Sequence, residues 1–420
     1  MKPIFRCLFL AFLTQSGMNT LQSQWVRTNA PIARVNRMLL DSTSIYAGYG
    51  DNGTSLLGAY RSTDCGLTWI SMNNGLTGGQ LLATDFARID SGIMLGTGQG
   101  VWFSSNEGQS WFPRNVGLPP VSFRNVRAMA VIGSDVYITI DTSPGGFLTT
   151  NRGLSWVTRS GSPGESPILV HNSAMYTTGY VEVRKSTNIG TSWTSISGGL
   201  PSILYGTQVI AVNETLYVSS NEGGVYRSTN DGGEWTAVNN GLTGTALYVM
   251  SIAGNPSLLL AGTNFDGVFL SIDHGITWGV ANQGLTSTWI RWLAIRPPYA
   301  FAATDPSGGS GGIWRRLLTD FVTSAGGGTE AVPLTFSLDQ NYPNPFNPKT
   351  EIRFSIQQTG LTSLKVYDLL GSEVTTLVEE VKWPGVYSVS FDAMGLSTGV
   401  YLYRLKAGPF SSTKKLILLK

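Results

Sequence analysis

The sequence predicts an all-β protein: a seven-bladed β-propeller closed by its N-terminal strand and followed by a small β-sandwich. A phrase of the form Ser/Thr-x-Asp/Asn-x-Gly-x-x-Trp occurs six times. Its tryptophans follow one another at intervals of 37 to 45 residues, which is the length of one four-stranded propeller blade. Between the copies lie short runs of β-branched and aromatic residues bounded by Gly, Asn, Asp and Ser, as expected for strands and turns.

Each copy of the phrase is predicted to form a turn between the third and fourth strands of a blade. The Asp or Asn side chain can accept hydrogen bonds from nearby backbone N–H groups, and Gly tolerates a positive φ. The tryptophan then supplies a large apolar surface for packing. Asn stands in four copies, which disfavours a catalytic or metal-binding role for this position. The phrase residues are Asp64 and Trp69, Asn106 and Trp111, Asn151 and Trp156, Asn188 and Trp193, Asn230 and Trp235, and Asp273 and Trp278.

The phrase resembles the Asp-box, also called the bacterial neuraminidase (BNR) repeat. This repeat occurs in sialidase-like propellers and in photosystem II assembly-factor-like propellers. In that superfamily the box is structural and lies at the periphery of the blade, away from the central site. The resemblance therefore implies that the six copies stabilise the fold and that any ligand binds elsewhere.

The seventh blade is predicted to be assembled from both ends of the propeller. After the sixth phrase the chain continues with three strand-like runs, residues 289–295, 299–304 and 311–316, but no further phrase follows. The missing fourth strand is supplied by residues 23–31, which align with the segments that follow a phrase. We therefore expect the strand near Trp25 to pair with the last of the three runs, which closes the ring and leaves no open sheet edge.

Four segments are expected along the chain. Residues 1–24 are typical of a signal peptide, because a positively charged start precedes an apolar run far below the about 18 residues of a membrane span. Residues 25–322 form the propeller, and residues 323–335 are a Gly-rich linker. Residues 336–420 form the second domain.

The second domain alternates apolar and polar residues in several short runs, which predicts a small antiparallel β-sandwich. It closely resembles the C-terminal sorting domain of the type IX secretion system, whose fold is immunoglobulin-like. The resemblance implies export across the inner membrane by the signal peptide and across the outer membrane by this domain, with the secretion machinery as its partner. The residues that carry it include Tyr342, Pro343, Asn344, Pro345, Phe346, Asn347, Pro348, Gly371, Lys414 and Lys415.

Composition and charge exclude several function classes. Charged residues make up 13% of the chain and the net charge is +2, so nothing indicates a nucleic-acid partner. The two histidines, His171 and His274, give no catalytic triad and no metal cluster, and no phosphate-binding or dinucleotide fingerprint is present. We therefore expect no metal, no cofactor, no transmembrane span and a monomeric propeller.

A ligand is expected at the mouth of the central channel, which the first strands and the loops before them line. Arginine and aromatic side chains in these segments suit an anionic, sugar or peptide partner. The alternative is that they pack between blades or pair with nearby acids. The candidate residues are Arg34, Arg37, Arg124, Arg127, Tyr205, Tyr248, Trp289 and Arg291.

The favoured interpretation is a secreted or surface-displayed propeller, without enzymatic activity, that presents a binding face to a protein or polysaccharide. No catalytic residues are assigned, because the arginine triad and the Tyr–Glu pair of a sialidase are not recognisable. Asp85 and Asp141 are candidate central acids, so a carbohydrate-active glycoside hydrolase is the alternative function. A scaffold for an envelope complex is a third interpretation, which the sorting domain disfavours.

Overall fold

In the computed structural model, the chain divides into two compact units, Met1–Phe321 and Val322–Lys420. The predicted signal peptide and most of the predicted linker lie outside the described residues. Those residues are 24–50, 56–141, 145–159, 167–306, 311–324, 336–356, 360–382, 385–408 and 410–419.

The described part of the first unit contains seven four-stranded antiparallel sheets, numbered I to VII. Its strands are β1 (Val26–Arg27), β2 (Val35–Leu40), β3 (Ile45–Tyr49), β4 (Gly58–Ser62), β5 (Ile70–Ser71), β6 (Ala83–Ile89), β7 (Gly92–Thr97), β8 (Gly100–Ser104), β9 (Phe112–Pro113), β10 (Val126–Ile132), β11 (Asp135–Ile140), β12 (Gly146–Thr149), β13 (Val157–Arg159), β14 (Leu169–His171), β15 (Ala174–Thr178), β16 (Val183–Ser186), β17 (Thr194–Ser195), β18 (Gly206–Val212), β19 (Thr215–Ser220), β20 (Gly224–Ser228), β21 (Thr236–Ala237), β22 (Val249–Asn255), β23 (Leu258–Thr263), β24 (Val268–Ser271), β25 (Gly279–Val280), β26 (Ile290–Arg296), β27 (Tyr299–Thr304) and β28 (Gly312–Leu317).

The sheets follow one another along the chain, with one exception at the end. Sheets I to VI contain β2–β5, β6–β9, β10–β13, β14–β17, β18–β21 and β22–β25, whereas sheet VII contains β26–β28 and β1. The first strands contact one another in chain order, and β26 of sheet VII contacts β2 of sheet I. Three 3-10 helices (Gly78–Leu81, Val121–Phe123 and Gly244–Leu247) also belong to this unit, and the helix α1 (Leu318–Ser324) begins in it and ends in the second unit. The all-β prediction is confirmed.

The N-terminal strand pairs with the last strand of the first unit. Val26 of β1 lies opposite Arg315 of β28, and Arg27 lies opposite Trp314. The backbone N–H of Thr28 donates to the carbonyl of Ile313 at 2.9 Å, which extends the pairing by one residue. The strand at Trp25 therefore completes sheet VII, as the alignment of residues 23–31 predicts.

The six tryptophan phrases form one type of turn, always between the third and fourth strands of a sheet. In the third copy the Gly153 N–H donates to the Thr149 hydroxyl at 2.8 Å, and the Ser155 N–H donates to Oδ1 of Asn151 at 2.9 Å. The same two hydrogen bonds recur in the other five copies. Gly153 has a φ of 79°, which only glycine adopts without strain.

The phrase tryptophans join neighbouring sheets. Four of them donate their indole N–H to a backbone carbonyl just after the fourth strand of the preceding sheet, at 2.5 to 2.8 Å. These pairs are Trp111 with Met72, Trp156 with Arg114, Trp235 with Ile196, and Trp278 with Val238. Trp69 instead donates to Gly66 of its own turn, and Trp193 packs edge-on against Tyr137. The four indoles that donate across sheets are buried, so each combines apolar packing with a hydrogen-bonded N–H.

The second unit contains two antiparallel sheets. Its strands are β29 (Ser337–Leu338), β30 (Lys349–Ile356), β31 (Gly360–Tyr367), β32 (Glu373–Lys382), β33 (Gly385–Asp392), β34 (Gly399–Ala407) and β35 (Phe410–Leu418). One sheet has the order β29-β30-β33 and the other the order β32-β31-β34-β35. Buried side chains of both sheets, among them Phe354 and Leu405, form one apolar core.

The proline-rich motif at residues 342–348 is bound to the end of β35. The N–H of Phe346 donates to the carbonyl of Ile417 at 3.0 Å, and the Asn344 carbonyl oxygen Oδ1 accepts the Ile417 N–H at 2.9 Å. Phe346 is buried, whereas Tyr342 is 82% exposed. The motif therefore anchors itself through its phenylalanine and leaves its tyrosine in solvent.

Candidate ligand-binding cavity

A cavity of about 480 Å³ lies where the first strands of the seven sheets converge. Every sheet contributes to its wall, including sheet IV through Pro167, two residues before β14. This volume falls in the range of small-molecule pockets, roughly 300–1,000 Å³. The described residues that line it are Arg34, Val35, Asn36, Arg37, Gly50, Leu82, Thr84, Asn125, Val126, Arg127, Pro167, Thr207, Met250, Arg291 and Trp292.

A repeated β-bulge directs side chains to this cavity. In six of the seven first strands one residue near the start has no partner on the second strand. A bulge of this kind re-aims the side chain of the extra residue. All six bulged residues line the cavity, and they are Asn36, Thr84, Arg127, Thr207, Met250 and Arg291.

The buried pair Arg37 and Asp85 joins sheets I and II beside the cavity. Arg37 donates through Nε at 3.0 Å and through Nη2 at 3.3 Å to the two carboxylate oxygens of Asp85. The carboxylate also accepts the N–H of Met129 in sheet III at 2.8 Å. Burial raises the pKa of Asp85, although Arg37 and the N–H donors lower it in part. On its other side the Arg37 guanidinium lies 4.4 Å from the ring centre of Trp292, in cation–π geometry.

Two further arginines of the cavity wall pair with acids that follow the second strand of their own sheets. Arg127 donates to Asp141, and Arg291 donates to Asp305 at 2.7 Å. Arg291 also lies over the ring of Trp289, 4.6 Å from its centre. The candidate central acids are therefore engaged: Asp85 by Arg37, and Asp141 by Arg127.

Arg34 differs from the other three arginines of the wall. Its side chain is exposed, and it makes no ion pair with any residue that the structure describes. Its backbone carbonyl accepts the N–H of Gly50 at the end of β3, so the main chain at this position is held in place. Arg34 therefore offers the cavity a guanidinium that no described carboxylate neutralises.

Three aromatic candidates occupy the register position of Arg34. Tyr205, Tyr248 and Trp289 each lie two residues before a bulge, as Arg34 does. Tyr205 packs edge-on against Tyr180 with ring centres 4.7 Å apart. In the next sheet, Tyr248 packs edge-on against a phenylalanine, Phe265. Partly exposed rings therefore follow one another on sheets V, VI and VII.

The predicted site residues fall into two groups. Arg34, Arg37, Arg127 and Arg291 line the cavity together, whereas Arg124, Tyr205, Tyr248 and Trp289 are not among its wall residues. Arg124 donates to the carbonyl of Pro119 in its own loop. Sequence reasoning missed the neutral bulged residues, because the register shift that directs them inward has no sequence signature of its own. These are Asn36, Thr84, Thr207 and Met250.

The described ranges contain neither a metal-binding cluster nor a membrane-spanning helix. No cluster of three or more His, Cys, Asp or Glu side chains in them has metal-binding geometry. No helix among the described residues is long and apolar enough to cross a membrane.

Two family models match separate parts of the chain. Residues 154–285 match a β-propeller domain of the family DUF6242. Residues 340–419 match the secretion system C-terminal sorting domain. The chain is a β-propeller protein with a type IX sorting domain. This domain indicates export, either to the cell surface or to the medium. No match to a curated protein was found.

Solved propellers resemble the chain in fold. PorZ of Porphyromonas gingivalis, an essential surface component of the type IX secretion system, is 14% identical with a TM-score of 0.55, over 92% of this chain and 59% of PorZ. The GH74 enzyme of Niastella koreensis is 16% identical with a TM-score of 0.50, over 70% of this chain and 43% of the enzyme. YCF48, solved bound to a D1 peptide, is 14% identical with a TM-score of 0.51, over 70% of this chain and 96% of YCF48. The chain thus spans less than two thirds of PorZ and of the GH74 enzyme.

Proposed function

We propose that this protein is an exported, seven-bladed propeller that binds an anionic protein or polysaccharide at its central cavity. The seven four-stranded sheets, whose first strands contact one another from sheet I round to sheet VII and back, support the blade count. The pairing of β1 with β28 supports closure by the N-terminal strand. The proposed propeller comprises residues 25–322, after a signal peptide at residues 1–24.

The cavity is the observation that carries the binding role. Four arginines line it, and three of them are neutralised by Asp85, Asp141 and Asp305. Among the described residues, the excess positive charge belongs to Arg34, which is exposed at the wall. A guanidinium recognises carboxylate or phosphate groups through paired N–H donors. An anionic group of the ligand is therefore proposed to bind beside Arg34.

The aromatic side chains on sheets V to VII extend this surface. Tyr205, Tyr248 and Trp289 present partly exposed rings, and such rings offer apolar area with polar edges to sugar or peptide groups. Charged side chains line the cavity on sheets VII, I and III, whereas only neutral residues line it on sheets II, IV, V and VI. A ligand with an anionic part and a neutral part would match the charged and the neutral parts of the cavity wall.

We propose that the second unit directs export of the protein. We propose that residues 336–420 form an immunoglobulin-like sandwich that the type IX machinery recognises, after a linker at residues 323–335. The match of residues 340–419 to the sorting-domain model supports this role.

The binding role can be tested on the purified protein with an array of acidic and neutral glycans and acidic peptides. Binding to acidic probes that Arg34→Gln weakens at least about tenfold would support the proposal. Arg152→Gln is the matched control, because Arg152 is an exposed arginine in a repeat turn. Equal binding by Arg34→Gln and the parent protein would refute the cavity as the site. Turnover in a parallel panel of fluorogenic glycosides would instead indicate the hydrolase.

A further inference from the structure

The turn between β31 and β32 presents two leucines to solvent. Leu369 is 68% exposed and Leu370 is 93% exposed. Turn tips usually carry Gly, Asn, Asp, Ser or Pro. Two adjacent leucines exposed at a turn tip are therefore unusual, and they do not contribute to the apolar core of the second unit.

The turn that holds these leucines is rigid. The Asp368 carboxylate accepts the N–H groups of Leu370 and Ser372, both at 2.9 Å. The N–H of Asp368 donates to the carbonyl of Ser372 at 3.0 Å, and Gly371 adopts a φ of 87°. Because the backbone is already ordered, binding through the leucines would cost little further conformational entropy.

A second turn at the same end of the sandwich has the same construction. The Asp392 carboxylate accepts the N–H of Met394 at 3.0 Å, and Met394 is 69% exposed. Tyr367, the last residue of β31, lies opposite Leu402 of β34. The first three residues of β34 extend past the end of β31, so the turn that precedes β34 lies at the same end of the unit as the Leu369–Leu370 turn.

The chain terminus reaches this end as well. Gly399, the first residue of β34, lies opposite Leu418 of β35. Leu419 follows, is 49% exposed, and donates its N–H to the carbonyl of Phe346 in the proline-rich motif. The exposed apolar residues of this end, called the apolar end below, are Leu369, Leu370, Met394 and Leu419.

We propose that the apolar end is the surface through which the sorting domain docks into an apolar pocket of a protein in the type IX export machinery. This proposal rests on the export role proposed above for residues 336–420. A sorting domain acts by being recognised, and exposed apolar side chains on hydrogen-bonded turns are anchors that a protein pocket takes up. The proline-rich motif and the C-terminal strand, which hydrogen-bond to each other here, place the apolar end beside the residues that identify the domain.

The charges of the two turns favour a protein partner over a membrane surface. Membrane-binding segments combine apolar side chains with Lys or Arg, which anionic lipid headgroups attract. The charged residue within the Leu369–Leu370 turn is Asp368, and Lys365 of the adjoining strand pairs with Glu373 at 3.4 Å. Lys349 beside the second turn pairs with Asp392 at 3.5 Å. The tip of each turn therefore carries an acid next to its apolar residue.

The test compares export of the full-length protein and its variants from a bacterium that has a type IX system. The double variant Leu369→Asn/Leu370→Asn keeps a turn-forming residue at both positions. Leu361→Asn is the matched control, because Leu361 is 65% exposed at the opposite end of β31. The amounts on the surface and in the medium are compared with the amount in the periplasm by immunoblot. Equal thermal unfolding of the purified proteins shows that folding is unchanged.

We expect the double variant to lose at least about tenfold in exported protein and to accumulate in the periplasm, with Leu361→Asn exported normally. Equal export of all three proteins would overturn the docking role, as would an equal loss in the Leu361 control. Binding of the purified protein to vesicles of lipopolysaccharide and phosphatidylethanolamine, if it depended on Leu370, would also overturn it in favour of a membrane.

A truncated chain ending at residue 322 separates this proposal from the export role itself. If truncation leaves export intact, both the export role of residues 336–420 and the docking role are wrong. If truncation abolishes export and the double variant does not, the docking role alone is wrong. Loss of export in both variants supports the apolar end as the recognition surface.

Discussion

The indole N–H of Trp25 donates to the backbone carbonyl of Ala281 at 2.7 Å. Trp278 makes the same bond to Val238 in the preceding sheet. The backbone N–H of Trp25 also donates to Gln283, just as that of Trp278 donates to Asn240. Trp25 therefore holds, in sheet VII, the place that phrase tryptophans hold in other sheets, although no phrase precedes it.

Replacing Trp25 should weaken the whole first unit. Its side chain is 1% exposed and packs edge-on against Phe321. We expect Trp25→Ala to lower the free energy of unfolding by about 3–5 kcal/mol, as for other buried aromatic residues, measured by urea denaturation. Val26→Ala, at a 49% exposed neighbour, should change it by less than about 0.5 kcal/mol. An equal effect of the two substitutions would mean that Trp25 does not secure the closure.

The repeat turns should require a hydrogen-bond acceptor at the Asp/Asn position, but not a negative charge there. Oδ1 of Asn106 accepts the N–H of Ser110 at 3.0 Å and the hydroxyl of Ser104 at 2.8 Å. We expect Asn106→Ala to cost about 1–2 kcal/mol of unfolding free energy and Asn106→Asp to cost much less. Gln109→Ala, at an exposed position of the same turn, is the control. A cost of Asn106→Asp as large as that of Asn106→Ala would contradict the acceptor role.

The contribution of Glu107 to stability should depend on pH. Its carboxylate accepts hydrogen bonds from Arg88 at 2.6 Å and from the Tyr46 hydroxyl of sheet I at 2.6 Å. The Arg88 guanidinium lowers the pKa of Glu107 below its ordinary value of 4.5. Because the folded-state pKa is lowered, the stabilisation is present above pH 4.5 and is lost as the pH falls through the lowered pKa.

Urea denaturation of Glu107→Gln at two pH values tests this dependence. At pH 7 the variant should unfold at a lower urea concentration than the parent protein, and at about pH 3 the difference should shrink. Glu234→Gln, at an exposed position of another repeat turn, should show no such change. A difference that stays constant with pH would show that Glu107 acts without its charge.

Arg37 and Asp85 should be strongly coupled. Both side chains are at most 10% exposed, so removing either one leaves the other charge buried without its partner. We expect Asp85→Ala alone to cost about 3–5 kcal/mol. In a double-mutant cycle, the cost of Arg37→Ala with Asp85→Ala should be clearly less than the sum of the single costs. Additive costs would refute the coupling. Asp90→Asn, at an exposed position, controls for loss of an acid.

Local patterns allowed much of the fold to be predicted from sequence. The six turns could be recognised because Asp or Asn, Gly and Trp each perform a local task at a fixed spacing. The place of Trp25 could be inferred because its segment resembles those that follow a phrase. The sorting domain could be recognised from its proline-rich motif and its terminal strand.

The cavity was predicted only in part. Arginines before and within the first strands could be listed, but Arg124 bonds within its loop while Arg34 lines the wall. The residues that the bulges direct inward could not be listed either, because their register is set by pairing with a neighbouring strand. The engagement of Asp85 by Arg37 joins two sheets and is equally invisible in the local sequence.

The sequence by itself determined the repeat, its turns and the strand that completes sheet VII, because each depends on short-range chemistry that residue types specify. Tertiary structure alone decided which side chains meet around the cavity, and which of its arginines pairs with no carboxylate in the described part of the chain. It also decided which leucines of the second unit stay in solvent. Trp25 illustrates both contributions. The sequence around it predicts that it belongs to the strand that completes sheet VII, but only the packing of the sheets brings its indole N–H to the carbonyl of Ala281.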